Sequence, residues 1–311
     1  MAHEIETMFY TRTKPWHGLG IRVEEALTSA EALEISGLDW TVKQQPIYTE
    51  TGCLIPNYRA NVRDKDNAIL GVVSDRYTVV QNVEAFEFTD NLLGSGVKYE
   101  TAGSLQGGRR VWILAKLPER YIINGENIEP YLVFSNSHDG SAAITVAMTP
   151  IRVVCMNTLN LALRNAKRAW SSKHIGNIQD KMHEAQQTLE LAHGYMAELG
   201  REIDVLNKIR LSDSKAILYI NELAPYPDNA TAIQKKNINK IREDMVVRYF
   251  DAPDLKLLPK NAYRFINAIS DHSTHSQPLR QTSAYNENLF MRTMDGLTLL
   301  DKAHVLVKAA A

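Results

Sequence analysis

The residues of this chain with the clearest chemical potential are cations in a stretch that contains no acid. Residues 141–174 include no Asp or Glu, although the whole protein is nearly balanced, with a formal net charge of −1. Arg164 and Arg168 are four residues apart, a spacing that puts two side chains on one face of a helix. Trp170 adds an aromatic ring beside them. Because cations contact phosphates and rings stack on bases, this combination is typical of surfaces that bind single-stranded nucleic acid.

A second group of cations next to an aromatic residue follows Gly107 and Gly108, where Arg109 and Arg110 precede Trp112. From the two groups we predict nucleic-acid contacts by Arg109, Arg110, Trp112, Arg152, Arg164, Lys167, Arg168, Trp170 and Lys173. The alternative interpretation of the first group is a solvated helix end, whose cations complement the negative end of the helix dipole. Binding is favoured over this alternative only if the two groups share one surface.

Cys155 stands where a predicted strand passes into a predicted helix, a position at which a thiol can become a nucleophile. It would need a base, and His17 and His138 are candidates in the sequence. The favoured interpretation is a buried cysteine at the strand–helix junction, because Cys is among the most often buried residue types. His17 is interpreted as part of a structural N-terminal clasp around Trp16. We therefore predict no catalytic residue.

Histidines near the C-terminal end of the chain raise the question of a metal site. His272 and His275 are three residues apart, which permits joint ligation on a helix, and His138 could join them if the fold brought them together. Their spacing does not have the precision of a zinc motif. We predict neither a metal site nor a cofactor.

Composition places the chain among ordinary globular proteins, with 44% hydrophobic and 23% charged residues. Two cysteines without metal-ligand spacing indicate a reducing compartment. No apolar run approaches the ~18 residues that span a bilayer, and the first residues lack the apolar core of a signal peptide. These features predict a cytoplasmic protein with no membrane partner.

The first half of the chain is predicted as short strands joined by tight turns, with two helices, one of them over residues 82–93. Such a pattern favours a mostly antiparallel sheet. The second half is predicted to be helical, with the α+β fold divided into a sheet domain at residues 1–175 and a helical domain at 176–311. The Pro- and Asn-containing segment at 224–230 marks a possible further boundary. The cationic end of the acid-free stretch is predicted as helix.

Apolar residues from Ile178 to Leu206 recur at alternating spacings of four and three, which predicts one long helix with a narrow heptad seam. The favoured interpretation is that this helix packs against other helices of the same subunit. An intermolecular coiled coil is the alternative.

Four segments carry a family resemblance. The first is PWHGLG at 15–20, followed by GLDW at 37–40; the others are YTVVQN at 77–82, RVVCMNTL at 152–159 and NAISDH at 267–272. Together they resemble the phage/plasmid-like protein family, catalogued as domain of unknown function 932. The resemblance covers nearly the whole chain. It implies carriage on phages, plasmids and other mobile elements, and it implies no established reaction.

The function predicted from these features is non-enzymatic binding of single-stranded DNA in phage or plasmid DNA metabolism. The predicted layout is also that of single-strand-annealing proteins of recombination, which suggests a homo-oligomer, although a shared layout does not fix function. The alternative is an interaction protein of a mobile element that acts on host machinery or defence through its helical domain. This alternative predicts a heptad seam that faces solvent in the isolated subunit.

Overall fold

The computed structural model of the chain describes residues 5–11, 21–24, 27–93, 98–117, 121–123, 125–152, 157–158, 169–190, 192–276 and 298–309. Its class is α+β, as predicted: strands dominate the first half and helices the second. No helix in these ranges is long and apolar enough to cross a membrane.

The larger sheet has nine described strands in the order β11-β10-β9-β7-β6-β1-β2, with β12 paired to β10 and β8 to β9. All the pairings whose register is described are antiparallel except that of β1 with β2. Its strands are β1 (Ile5–Thr11), β2 (Ile21–Val23), β6 (Lys98–Leu105), β7 (Arg110–Lys116), β8 (Tyr121–Ile123), β9 (Glu126–Ser137), β10 (Ile144–Arg152), β11 (Asn157–Thr158) and β12 (Ala169–Ser172).

The smaller sheet contains β3 (Val42–Tyr48), β4 (Leu54–Arg63) and β5 (Ile69–Ser74), paired antiparallel in that order. Its edge strand β3 carries Pro46, a residue that cannot donate a ladder hydrogen bond and is tolerated at an edge. The turn between β4 and β5 ends on Asn67 with φ 59°, a left-handed conformation that Asn adopts readily.

Two helices accompany the strands of the first half, α1 (Ser29–Ile35) and α2 (Asn82–Leu93). Thr28 and Glu31 form a reciprocal capping box at the start of α1, in which each side chain bonds to the other residue's backbone N–H. The range of α2 is the predicted one.

The second half contains α3 (Ile178–Glu190), α4 (Ala192–Lys208), α5 (Asp213–Leu223), α6 (Ala232–Asp251), α7 (Ala262–His275) and α8 (Thr298–Lys308). The predicted heptad seam therefore falls on two helices, α3 and α4, rather than on one. Its members whose side chains are described are buried, namely Ile178, Met182, Ala185, Met196, Leu199, Ile203 and Leu206. If the helical half binds a partner protein, it must do so through residues other than these buried members of the seam.

The chain forms two compact units that alternate along the sequence. Unit 1 comprises Met1–Glu119, Pro130–Met148 and Lys167–Ala192, and unit 2 comprises Arg120–Glu129, Thr149–Ala166 and His193–Ala311. The boundaries predicted at residue 175 and at 224–230 stay predictions.

A second predicted element is wrong in the described residues. The end of the acid-free stretch was expected to be helical, but Ala169–Ser172 form strand β12, antiparallel to β10. Pairing with a neighbouring strand overrides the local helical pattern here, because the ladder with β10 satisfies the backbone groups of this short segment.

Candidate functional site

Four strand ends meet at one end of the larger sheet, within unit 1. β7 begins at Arg110, which pairs with Ser137, the last residue of β9. β10, the neighbour of β9, begins at Ile144 and pairs with β12, whose last residue precedes Lys173. The loop of residues 138–143 joins β9 to β10 at this point, and we call the region the 138–143 end. Arg110 and Lys173 come from the two separate groups of predicted cations and lie at the same end of the sheet.

Hydrogen bonds hold the 138–143 loop in place. Asp139 Oδ1 accepts from the Ser137 hydroxyl and from the Ser141 backbone N–H, both at 2.9 Å. Arg110 Nη2 donates to Ser141 Oγ at 3.2 Å, so a predicted cation is tied to the loop. Burial alone would raise the pKa of Asp139, but hydrogen bonds from Ser141 and Ser137 and the charge of Arg110 lower it below its ordinary value. The Asp139 side chain is therefore an ionised carboxylate at neutral pH.

Segment 77–82, which carries part of the family resemblance, supports this loop from the other side. The Tyr77 hydroxyl donates to the backbone oxygen of Ser137. Asn82, at the opposite end of the segment, has its Oδ1 3.0 Å from His138 Nε2. Both contacts are buried. Segment 77–82 directly follows β5 of the smaller sheet, so these contacts connect that part of the chain to the end of β9.

His138 is a fully buried, neutral imidazole. Asn82 Nδ2 donates to the backbone oxygen of Leu38 at 3.0 Å, which leaves Asn82 Oδ1 to accept the proton on His138 Nε2. His138 Nδ1 is then an acceptor, and it has no partner in the described part of the chain. Burial, together with the nearby His174, lowers the pKa of His138 to about 3.

His174 directly follows Lys173 and is the second buried imidazole. Its Nδ1 lies 3.1 Å from the backbone oxygen of Thr78. Because that oxygen can only accept, Nδ1 carries the proton and Nε2 is an acceptor, without a partner among the described residues. The ring stacks on Tyr77 with centroids 4.5 Å apart. Burial, with a contribution from Lys181, lowers the pKa of His174 to about 4 against the opposing effect of the Thr78 bond.

A cavity of about 480 Å³ opens at the 138–143 end. Its lining combines an aromatic ring, a carboxylate, a hydroxyl, an ammonium group and an imidazole, from Tyr77, Asp139, Ser141, Lys173 and His174. The volume lies in the range of small-molecule sites, and a few polar groups in a partly apolar lining are typical of them.

Further cations stand beside this cavity. The backbone oxygen of the exposed Arg109 accepts from the His138 N–H at 2.6 Å, which places Arg109 at the start of the loop. Lys181 Nζ donates to the backbone oxygen of Lys173 at 2.5 Å. Arg110 contacts Ser141, a residue of the cavity lining, and Lys173 and Asp139 belong to the lining itself. The arrangement can hold phosphate groups outside the cavity.

The structure does not bring all the predicted residues together. Arg152 is the last residue of β10 and belongs to unit 2, so it is not part of the 138–143 end. Arg164, Lys167 and Arg168 lie outside the described residues. So do Cys155 and His17, the candidates considered for chemistry.

The two tryptophans of the predicted set do not have the exposure that base stacking needs. Trp112 is 5% exposed and Trp170 is 6% exposed. Trp112 lies in an apolar strand between Val111 and Ile113, and Trp170 pairs with Val146 across β12 and β10. Their rings pack the sheet, so the expectation of a tryptophan stacking surface is corrected.

The histidines of α7 have carboxylate partners instead of a metal-site geometry. His272 Nδ1 lies 2.6 Å from Asp244, and His275 Nδ1 lies 3.0 Å from Asp271. Arg248 contacts both carboxylates, at 2.8 and 2.5 Å. Across the described ranges, no group of three or more His, Cys, Asp or Glu residues is arranged to hold a metal ion. The cluster braces α6 against α7.

Sequence reasoning missed Tyr77, Asn82 and His174 as site residues. The available signal was the family-like segment 77–82, in which polar residues at both ends enclose two valines. His174 gave no signal, because a single histidine after a lysine is not a motif. Its role depends on the contact with Thr78, almost a hundred residues earlier in the chain.

Comparison with known proteins identifies a family and adds no function to it. No curated protein and no solved structure matches the chain. The model of one family, described as "Domain of unknown function (DUF932)", matches residues 69–293, which include segment 77–82 and the whole cavity lining. Since this match covers well over half of the sequence, the chain belongs to the DUF932 family.

Proposed function

We propose that this protein binds single-stranded DNA, and that the 138–143 end of unit 1 is where the strand's phosphates are held. The observation that carries the proposal is the meeting of Arg110 and Lys173 beside one cavity, from segments more than sixty residues apart. The sequence made binding conditional on such a meeting. A chain with net charge −1 needs a local concentration of cations to hold a polyanion.

The local geometry suits phosphate contacts. Arg110 donates from Nη2 to Ser141 Oγ at 3.2 Å, which holds its guanidinium group at the loop. Lys173 is exposed, and it lines the cavity next to the loop. Asp139 is the opposing charge, but Ser137 and Ser141 both bond to it and hold it in the loop. The loop needs no large rearrangement to receive a strand, which limits the entropic cost of binding.

The remaining predicted cations extend the proposal. We propose Arg152, Arg164, Lys167 and Arg168 as further phosphate contacts. A continuous path on several subunits would explain a homo-oligomer, and annealing or recombination on a phage or plasmid would be its use. We propose binding without a catalytic step.

The test is a titration of a fluorescently labelled 15-nucleotide oligo(dT) with the full-length protein, followed by anisotropy between 20 and 300 mM salt. Phosphate contacts release counterions, so the logarithm of the binding constant should fall linearly with the logarithm of the salt concentration, by about 0.7 per neutralised phosphate on a single strand. Undetectable binding at 20 mM salt would contradict the proposal.

A further inference from the structure

We infer that the open edge of β5, in unit 1, pairs with an extended acidic peptide that adds a strand to the smaller sheet. The inference goes beyond DNA binding, because the partner is a segment of another protein and the β5 backbone supplies the hydrogen bonds. Addition of a peptide strand to a free sheet edge is a recurrent mode of protein recognition.

The backbone groups of β5 point alternately toward β4 and away from it. In the described part of the chain, β5 pairs with β4 alone and ends the smaller sheet. Asp75 N–H donates to the backbone oxygen of Asn57 at 2.9 Å, and the register has no shift from this bond back to Val72. Because bonded and non-bonded pairs alternate in an antiparallel ladder, Val72 and Ser74 turn their backbone groups away from β4.

The outward groups of β5 are open to a partner. The backbone oxygen of Ser74 accepts from Tyr77 N–H at 3.0 Å, but within the described ranges Val72 N–H, Val72 C=O and Ser74 N–H have no hydrogen-bond partner. Val72 and Ser74 are exposed, and both line the cavity of about 480 Å³ at the 138–143 end. A peptide strand at this edge would therefore find two donors and one acceptor.

The two edge strands of the smaller sheet differ in their protection against such pairing. Strand β3 (VKQQPIY) carries Lys43 and Pro46, and both residue types protect exposed sheet edges. Strand β5 (ILGVVS) has neither a charged residue nor a proline. An unprotected apolar edge favours pairing with another chain, so β5 is the edge suited to a partner strand.

The charges near the cavity favour an acidic partner. Lys173 lines the cavity, Arg110 contacts the lining, and Lys181 Nζ donates to the backbone oxygen of Lys173. The opposing acid of the described lining is Asp139, whose Oδ1 already accepts hydrogen bonds within its own loop. The exposed acid and base at residues 75–76 offset each other. Carboxylates of a peptide would therefore meet a local excess of cations.

The apolar part of the lining defines the other side chains of the peptide. Val72 and Ile175 line the cavity and are 58% and 42% exposed. Apolar side chains on the partner would cover them. Because successive side chains of a strand point to opposite faces, the matching sequence alternates apolar and acidic residues.

The experiment titrates a labelled six-residue peptide of alternating valine and glutamate with the full-length wild-type protein and follows its anisotropy at low salt. A peptide with lysine in place of glutamate is the charge control. We expect the glutamate peptide to bind about ten-fold or more tightly than the lysine peptide. Equal binding would overturn the assignment of an acidic partner. Binding of neither would overturn the inference, whereas the titration with oligo(dT) tests the proposed function separately.

Methylation of peptide nitrogens tests the strand pairing without a change in the protein. Methyl groups on alternate amides block one edge of an extended peptide and leave the other edge intact. We expect one of the two alternately methylated peptides to bind about ten-fold more weakly than the parent, because it loses the donor to Val72 C=O and the close approach of the strands. The other should bind like the parent. Equal effects of the two patterns would overturn pairing with a sheet edge.

Val72→Pro is the variant that blocks the edge of β5. Proline has no N–H, and a sheet tolerates it where the N–H faces away from the neighbouring strand. Val72→Ala is the matched control, because it shortens the side chain and keeps the N–H. We expect about ten-fold weaker binding of the glutamate peptide by the proline variant than by the alanine variant. Equal binding by the two would overturn the role of β5, and the peptide comparisons with wild-type protein do not depend on the folding of either variant.

Discussion

The buried histidines of unit 1 and the carboxylate-paired histidines of unit 2 have opposite surroundings. In unit 1, His138 and His174 are buried as neutral rings, and each keeps one acceptor nitrogen without a partner in the described chain. In unit 2, His272, His275 and His304 each lie within 3.0 Å of a carboxylate oxygen. The same side chain keeps an acceptor without a described partner in unit 1 and contacts a carboxylate in unit 2.

The difference supports the proposal that unit 1 holds a ligand. A paired imidazole is satisfied by its own fold and adds to the bracing of neighbouring helices, as Glu202 does with His304 and Lys308 between α4 and α8. A buried imidazole with a free acceptor costs stability, and a fold retains such a cost most readily where it serves binding. The comparison therefore favours unit 1, and the cavity beside His174, as the functional region.

Acidification should lower the free energy of unfolding through the buried histidines of unit 1, and this is the largest effect that we expect. The pKa values of His138 and His174 are lowered to about 3 and about 4 in the folded state, from an ordinary value near 6.5. Between pH 6.5 and pH 4 the unfolded chain therefore binds protons that the folded chain does not, and the free energy of unfolding falls as pH falls. From pH 7.5 to pH 5 we expect a loss of about 2 kcal/mol for each histidine, measured by urea unfolding.

The control for this prediction is a single substitution in unit 1. His174→Gln should remove about half of the pH dependence. Burial alone would raise the pKa values of Asp244 and Asp271 in unit 2, but hydrogen bonds from their partners lower them below the ordinary value. Both carboxylates therefore stay ionised at pH 5 and do not contribute to the expected loss of stability. A stability that is flat from pH 7.5 to pH 5 would contradict the account of the buried imidazoles.

Asn82→Ala should give the next largest effect. Asn82 bonds to the backbone oxygen of Leu38 at 3.0 Å and to the imidazole of His138 at 3.0 Å, and all these groups are buried. Removal of the amide leaves them unpaired, and we expect the free energy of unfolding to fall by about 3 kcal/mol. Asn267→Ala is the matched change in unit 2, because Asn267 is equally buried and donates to Tyr263 in its own helix. Chemical denaturation of Asn267→Ala should show a loss of about 1 kcal/mol in the free energy of unfolding. Equal losses for Asn82→Ala and Asn267→Ala would contradict the difference between the two units.

Arg248→Met tests the pairing in unit 2 and has the smallest expected effect. Arg248 holds the carboxylates of Asp244 and Asp271 together, and its removal should lower the free energy of unfolding by about 2 kcal/mol at pH 7. Arg201→Met removes an exposed pair with Glu198 and should cost less than about 0.5 kcal/mol. A difference in Tm between these two variants checks the prediction, and no difference would mean that the cluster does not brace the helices.

Local patterns in the sequence predict most of the strands and helices near the site. Helix α2 follows from Asn82 and the apolar residues after it, and the edge position of β3 follows from Pro46, because these signals are contained in a few neighbouring residues. Strand β12 is not predictable in this way. Its four residues are a strand because β10 lies beside them, and the sequence around Trp170 contains no sign of that neighbour.

The candidate site is predictable only in part, and for a similar reason. Arg110 and Lys173 stand out by charge, but the cavity at the 138–143 end depends on contacts such as Tyr77 with Ser137 and His174 with Thr78, which join distant segments. Burial also reverses the role of an aromatic residue next to a cation: an exposed Trp112 would stack on bases, whereas the buried one packs the sheet.

The central claim is tested most directly by charge removal at the 138–143 end. Arg110→Gln/Lys173→Gln should weaken binding of oligo(dT) at low salt and reduce the slope of log binding constant against log salt by about 1.4, since two phosphate contacts are lost. Lys235→Gln/Lys236→Gln, which removes the same charge from the exposed start of α6 in unit 2, should leave both the affinity and the slope close to wild type. Equal losses in the two double variants would show that binding follows net charge alone, and would contradict the assignment of the site to the 138–143 end.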